Sequence, residues 1–317
     1  MQTPKKEISN VQCVFEMSAY GMFALVSCLP GMLLRGVACF IMPYTLSRPS
    51  VPEESCPSSR SIKILSWNIC CLGGCAIKAG VLPYADRIDE IIAKIIEIDP
   101  DVISLQETFL ADFRIQDMLR KRGYHVGKDF GMQAFKFSSG ILIASKQKMQ
   151  NVQFKHFPVE AVHGSERWFG KGGITFDVML KNKTITICTS HLQSPENPHL
   201  PTEQEHQARA QQASFLRQMM RRHQKDACVL VGDLNQDLKE VQKNFPSFTM
   251  AYPSLSASLS RESASVDTDS QSCTLDYIGY DSRQMQLQAR CEHYETEALS
   301  DHNPIVVEYS LHSATLD

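Results

Sequence analysis

Six short motifs in this chain, each at the end of an apolar, strand-like run, finish on a residue suited to acid–base or ligand chemistry. SWN ends on Asn68, SLQE on Glu107, TSH on His191, VGDLN on Asp233 and Asn235, TLDY on Asp276, and LSDH on His302. Each motif alone has an ordinary explanation. A glutamate after a strand is usually solvated, Asp-Leu-Asn is a turn sequence, and Pro304 keeps the SDHN stretch non-helical. Taken together the ordinary explanation fails, because strand ends converge on one rim of a sheet and active sites gather there. An acid, two amides, two histidines and two aspartates on one rim form a phosphoester-cleaving set. Glu107 and Asn68 offer hard oxygen ligands suited to Mg²⁺, and the histidines titrate near neutrality.

Between these motifs, strands and helices alternate. SIKILSWNI reads as a buried strand, and Asp86 to Ile98 places Ile88, Ile91, Ile92, Ile95 and Ile96 at helical spacing. DVISLQE, GILIASK, VQFKHFPV, GITFDVML, KTITICTSHL, ACVLVGDLN, TLDYIGY and IVVEYSL read as strands. Phe113 to Arg122 and Glu203 to Arg222 read as helices. So many strands with helices interspersed predict two packed sheets with helices outside. With 43% hydrophobic residues the chain can bury such a core, and a formal net charge of −3 argues against a basic face that holds nucleic acid.

The first sixty residues differ in character. Met17 to Leu34 carries 18 residues without a charge, just long enough to span a bilayer. Residues 1–45 are therefore expected to be an apolar N-terminal segment, an anchor or a signal, with membrane contact through residues 17–45. The flanking lysines and arginines give it no orientation. Residues 46–61 read as a Pro/Ser-rich linker, 62–317 as the folded domain, and Pro253 to Ser272 as a Ser-rich loop. The 11 cysteines form no CxxC pair, and Cys188 and Cys228 fall inside apolar strands. Free, buried thiols in a reducing compartment follow.

SWNI, DVISLQE, GILIASK, TSHLQS, VGDLN, TLDYI and LSDHNP occur in an order and spacing that resemble the endonuclease/exonuclease/phosphatase superfamily. The resemblance runs from about Ile62 to Leu311. It implies the deoxyribonuclease I-like fold, a four-layer α/β sandwich of two packed mixed β-sheets flanked by helices. Within the superfamily, the His-Leu-Gln of TSHLQS, the Lys-Gly of WFGKGGITFDV, and Arg209 and Gln211 look like the neutral sphingomyelinases. Two departures stand out: Leu234 takes the place of the commoner phenylalanine in VGDLN, and Asn303 follows SDH where an aromatic is frequent.

The resemblance implies a metal-dependent phosphodiesterase using Mg²⁺, with Mn²⁺ as the alternative, that removes a phospholipid head group in the phospholipase C manner. Glu107, Asn68 and Asp301 would serve the metal, Asp301 either directly or from behind. His302 would be the general base, oriented by Asp276. Asp233 and Asn235 would position water and stabilise the pentavalent phosphorus. His191 would protonate the leaving oxygen or bind phosphate, with Lys171 and Gln193 on the substrate, although Lys171 reads equally as a solvated lysine. A nuclease or phosphatase of the same superfamily, and an inactive membrane-tethered binding module, are the alternatives. No protein partner is implied. Membrane association is the expected location, with a soluble cytoplasmic or a secreted enzyme as the alternatives.

Overall fold

Alternation along the strand β2 (Ser61–Asn68) separates two cores. Ile62 and Ile64 enter one and Leu65 and Trp67 the other, as a period of two dictates. The structure, a computed structural model, describes residues 44–51, 61–72, 80–109, 111–133, 136–197, 200–223, 225–251, 275–281, 287–294, 296 and 299–311. The apolar run Met17–Leu34, most of the Pro/Ser-rich stretch and the Ser-rich segment Pro253–Ser272 lie outside the described residues.

One sheet has the order β1 (Thr45–Ser47), β4 (His125–Lys128), β5 (Leu142–Ser145), β3 (Val102–Gln106), β2, β13 (Ile305–Leu311), β12 (Leu287–His293). The other runs β10 (Phe248–Ala251), β11 (Asp276–Asp281), β9 (Ala227–Asp233), β8 (Lys183–Ser190), β7 (Gly172–Leu180), β6 (Gln150–His156). Both sheets are mixed: β2 pairs parallel with β3 and β8 parallel with β9, while the neighbouring pairs are antiparallel.

Three apolar clusters separate four layers. Ile64, Val102, Ile143, Phe176, Ile187, Val229, Val231, Ile278 and Val307 fill the space between the sheets. On the outer face of the first sheet, Ile88, Ile91, Ile95 and Ile98 of α1 (Tyr84–Ile98) pack on Leu65, Trp67, Ile103 and Leu105. Each buried isoleucine contributes roughly 2 kcal/mol of transfer free energy, which is why this helix lies where it does. It stops at Asp99, whose φ of 48° is left-handed and whose N–H returns to the Ile95 carbonyl, a common helix ending. α2 (Asp112–Lys121) joins the same layer through Ile115 and Leu119. On the outer face of the second sheet, Ala213, Leu216 and Met220 of α3 (Glu203–His223) and Val241 of α4 (Leu238–Asn244) pack on Cys188, Cys228 and Leu230.

The expected four-layer sandwich is therefore present. Elements with no legible periodicity, namely β1, β4, β10, β12 and α4, are additions to the sequence reading. The chain joins the sheet at β1, pairing Leu46 with Gly127, inside the stretch that reads as a linker. Cys70, Cys188 and Cys228 are buried free thiols, and Cys71, next to Cys70 in sequence, is buried as well. Among the described residues, no helix is long and apolar enough to cross a membrane.

Candidate active site

The inner face of each central strand turns from apolar to polar as the strand nears one rim. In β2, Ile62 and Ile64 are followed at the same parity by Ser66 and Asn68. In β3, Val102 is followed by Ser104 and Gln106. In β8, Ile185 and Ile187 give way to Thr189 and then His191. In β9, Val229 and Val231 lead to Asp233, and Asp276 shares its face of β11 with Ile278. Alternation alone thus aims Asn68, His191, Asp233 and Asp276 into the gap between the sheets. Below them Ser104 and Thr189 share a 2.6 Å hydrogen bond across the gap, and the Gln106 amide donates to Ser104 Oγ at 2.9 Å.

Two sharp backbone turns and one glycine within a strand finish the rim. Glu107 and Asn235 have φ of 53° and 49°, conformations that cost free energy for side-chain-bearing residues and collect at functional sites. Gly232 has φ 138°, and a Cβ there would lie 2.0 Å from the Ser190 carbonyl oxygen. Only glycine lets β9 approach β8 closely enough to bring Asp233 beside His191.

Asp233 is the hub. Its Oδ2 accepts from the Asn68 amide at 3.1 Å and lies 3.6 Å from His191 Nε2 and 3.9 Å from His302 Nε2. The other ring nitrogen of His302, Nδ1, hydrogen-bonds Asp276 Oδ2 at 2.5 Å. Asn68 donates a second bond to Glu107 Oε1 at 3.2 Å, while its own oxygen accepts from the Cys70 N–H at 3.1 Å. That assignment turns the amide N–H₂ of Asn68 toward both carboxylates. Asn235 donates from its backbone to Asp233 and from its side chain to the Leu192 carbonyl.

Burial and charge drive the two imidazoles apart. Burial alone pushes His302 down, but the carboxylates of Asp276, Asp233 and Asp301 outweigh it and hold it well above the ordinary histidine value. His191 is held well below that value by burial, by Lys171 and by His302. Burial and Asp276 raise Asp233 despite the opposing pull of His302, Asn68 and the Asn235 N–H. Burial raises Glu107 too, against its bond from Asn68, and the charge of Asp301 adds to the rise.

This donor set fits a divalent cation. Glu107 and Asp301 crowd one corner, where both also push up the Cys70 thiol, and hard carboxylate oxygens so placed suit Mg²⁺ or Mn²⁺. Asp233, Asp276 and His302 also offer ligand atoms within 4.8 Å of one another. In that second set Asp276 Oδ2 and His302 Nδ1 already hold each other at 2.5 Å, whereas the Glu107–Asp301 corner offers hard carboxylate oxygens alone.

Lys171 is buried at 5% exposure, paired with Glu166 Oε1 at 2.9 Å, and donates to the Leu192 carbonyl at 3.2 Å. It is a lysine built into the site wall, close enough to influence both Glu107 and His191. Gln193 is buried and turned toward the segment at His163, its oxygen accepting from the His163 N–H at 2.9 Å. In the following helix Gln212, rather than the exposed Gln211, meets this loop: it accepts from the Gln193 N–H and donates to the Ala161 carbonyl.

Arg87 has no counterpart in the sequence reading. It is 1% exposed on the apolar face of α1 and donates to the carbonyls of Leu82, Ile69, Cys70 and Leu299. It thereby fastens the segment after Asn68 to the segment before Asp301 and His302. A charged residue interrupting an isoleucine face was the available signal.

The Endonuclease/Exonuclease/phosphatase family model matches residues 65–302, from just ahead of Asn68 to His302. No curated protein matches the sequence as a relative. Among solved structures the chain is similar to a mutant of beta toxin from Staphylococcus aureus with bound magnesium ions, at 18% identity and a TM-score of 0.62 over 79% of this chain and 99% of that one. It is similar to sphingomyelinase C from Streptomyces griseocarneus, at 16% identity and a TM-score of 0.57 over 78% and 99%. D. rerio TDP2 complexed with single strand DNA product aligns over 79% and 99% at 19% identity, with a TM-score of 0.58. At such identities the likeness is one of fold. The family match over most of the chain, together with the deoxyribonuclease I-like sandwich, makes this protein a member of the Endonuclease/Exonuclease/phosphatase family, a hydrolase acting on phosphoric ester bonds.

Proposed function

We propose that the chain is a Mg²⁺-dependent phosphodiesterase that releases the head group of a phospholipid, in the manner of a sphingomyelinase. The observation that carries the hydrolytic reading is the Asp276–His302 pair, 2.5 Å apart, with the free Nε2 of His302 facing Asp233. Asp276 fixes the tautomer and aims Nε2 into the site, as a general base requires. Asp233 and Asn235 position the attacking water and the phosphoryl oxygens. His191, kept neutral by burial, presents an N–H to the leaving oxygen, and Lys171 supplies a fixed positive charge to the phosphate. Gln193 shapes the loop that carries His191. Glu107 and Asp301 would hold the cation, with Asn68 keeping Glu107 in place. A bound cation would polarise the phosphoryl oxygen and lower the charge pressure that keeps His302 protonated.

The lipid assignment is supported by the His-Leu-Gln at His191, by Lys171 ahead of β7, and by the similarity in fold to sphingomyelinase C and beta toxin. The acidic sequence pI of about 6.4 speaks against a DNA-gripping surface, although the similarity to TDP2 keeps nucleic acid as the rival substrate. Residues 17–45 would carry the enzyme to a membrane. The test is the full chain with Mg²⁺ against sphingomyelin, phosphatidylcholine, a lysolipid and plasmid DNA, with Glu107→Gln as the metal control. Phosphocholine release that Glu107→Gln abolishes at saturating Mg²⁺ is the expected result. Robust DNA cleavage without phosphocholine release would overturn the lipid assignment, and near wild-type turnover by Glu107→Gln would overturn the metal site.

A further inference from the structure

Beside the phosphoester site stands an aromatic wall that the chemistry does not use. The Phe169 ring lies 5.3 Å from Phe109 and 5.5 Å from Phe137, and Phe137 and Trp168 are 62% and 64% exposed. Each large aromatic left open forgoes about 2 kcal/mol of burial, so neighbouring open aromatics mark an interaction surface. The two segments that carry them are fixed to each other. The Phe137 N–H donates to the Trp168 carbonyl at 2.9 Å and the Gly170 N–H to the Phe137 carbonyl at 2.8 Å. A Cβ on Gly140 would lie 2.4 Å from the Phe109 ring, so only glycine lets that ring come so close to the loop.

The wall is continuous with the site. Phe109 is two residues past Glu107, and Lys171 is two residues past Phe169. Exposed Lys136 and Arg167 immediately precede Phe137 and Trp168. Aromatic bulk flanked by cations fits either stacked bases or a phospholipid surface, and ring geometry separates the two. A base-stacking platform needs open ring faces. Here Phe137 spends one ring face on Phe169, 30° from parallel, and Phe109 meets Phe169 tilted at 56°. What projects is apolar bulk, one indole with its polar N–H, and the exposed cations Lys136 and Arg167, the combination that settles at a membrane–water interface.

Resting on the phospholipid reading above, we infer that Phe137 and Trp168, backed by Phe109 and Phe169, form an interfacial docking surface that enters the head-group region of a phospholipid bilayer and seats the active site on it. This contact is separate from any made by residues 17–45.

The chain's two tryptophans make the test specific, because Trp67 is fully buried and Trp168 exposed. The full chain is mixed with vesicles of phosphatidylcholine and sphingomyelin, with and without brominated phosphatidylcholine. The expected result is a blue shift of tryptophan emission, loss of acrylamide quenching, and quenching by the brominated lipid. All three changes should vanish in Trp168→Phe, which keeps Trp67. Hydrolysis of bis-p-nitrophenyl phosphate by that variant should stay within about twofold of wild type, as for a surface substitution. A chain that binds vesicles while Trp168 remains open to acrylamide, or that fails to bind them, would overturn the surface. So would quenching of Trp168 by single-stranded DNA but not by lipid. Insertion of Trp168 without phosphocholine release would leave the surface standing and remove the head-group reading, so the two failures are distinguishable.

Discussion

The two histidines of this site sit on opposite arms of one carboxylate. His302 Nε2 lies 3.9 Å and His191 Nε2 3.6 Å from the same Asp233 oxygen. On the far side of His302 stands Asp276, hydrogen-bonded to its second nitrogen. His191 has Lys171 for a charged neighbour. One imidazole is therefore held toward the protonated state and the other toward the neutral state, a few ångströms apart. The difference teaches that the residue type does not set the role here. The second neighbour does, and each is fixed by a different piece of the fold: Asp276 by the register of β11 against β9, and Lys171 by its buried pairing with Glu166.

Removing His302 should have the largest effect. His302→Ala should lower turnover on the order of 10² or more on every substrate, the scale of general-base catalysis. Steady-state rates on a lipid and on bis-p-nitrophenyl phosphate check this. A loss confined to one substrate would show that His302 recognises rather than activates, and the comparison between the arms would collapse.

A smaller effect tests what supports the His191 arm. Glu205, at the start of α3, accepts from the N–H groups of Glu196 at 2.7 Å and Thr202 at 2.6 Å, tying down the segment that follows TSHLQS. Burial pushes this carboxyl up, but those N–H groups outweigh it and leave it below its ordinary value of 4.5. Because the folded value is the lower one, its stabilisation is present above about pH 4.5 and is lost as pH falls through the folded value. Glu205→Gln should therefore cost about 1–2 kcal/mol at pH 7, and the gap in Tm from wild type should close in acid. A gap independent of pH would assign the loss to packing rather than to charge.

The arms also differ in how they showed in the sequence. Asn68, Asp233 and Asp276 were legible because alternation in long buried strands leaves little freedom about which face a terminal residue takes. Glu107, of opposite parity to Gln106, was legible only as a carboxylate at a strand end and is turned by its left-handed backbone. SDH was legible only through its resemblance to known motifs, since a turn sequence before a strand has no period to read. Lys171 read equally as a solvated lysine, because nothing near it in sequence announces that Glu166 folds back through a short helical turn to pair with it. Arg87 stayed hidden for a related reason: its carbonyl partners include Ile69 and Leu299, which are distant in sequence and share no pattern. Gln212, not Gln211, faces the His191 loop, because a helix rotates about 100° per residue and a one-residue error turns a contact into solvent. The edge strands β1 and β10 were missed because so short a pairing carries no hydrophobic period.

The division of labour between the histidines is tested most directly by His191→Ala on two substrates that differ in leaving group. A lipid alkoxide leaves poorly and needs the N–H that His191 presents, whereas p-nitrophenolate departs without help. The account predicts a loss of roughly 10²-fold on sphingomyelin, the scale of removing one hydrogen-bond donor to a developing oxyanion, and a much smaller loss on the p-nitrophenyl ester, with both rates measured at saturating Mg²⁺. Equal losses on the two substrates would contradict it, leaving His191 as a phosphate ligand and the two arms without distinct chemical roles.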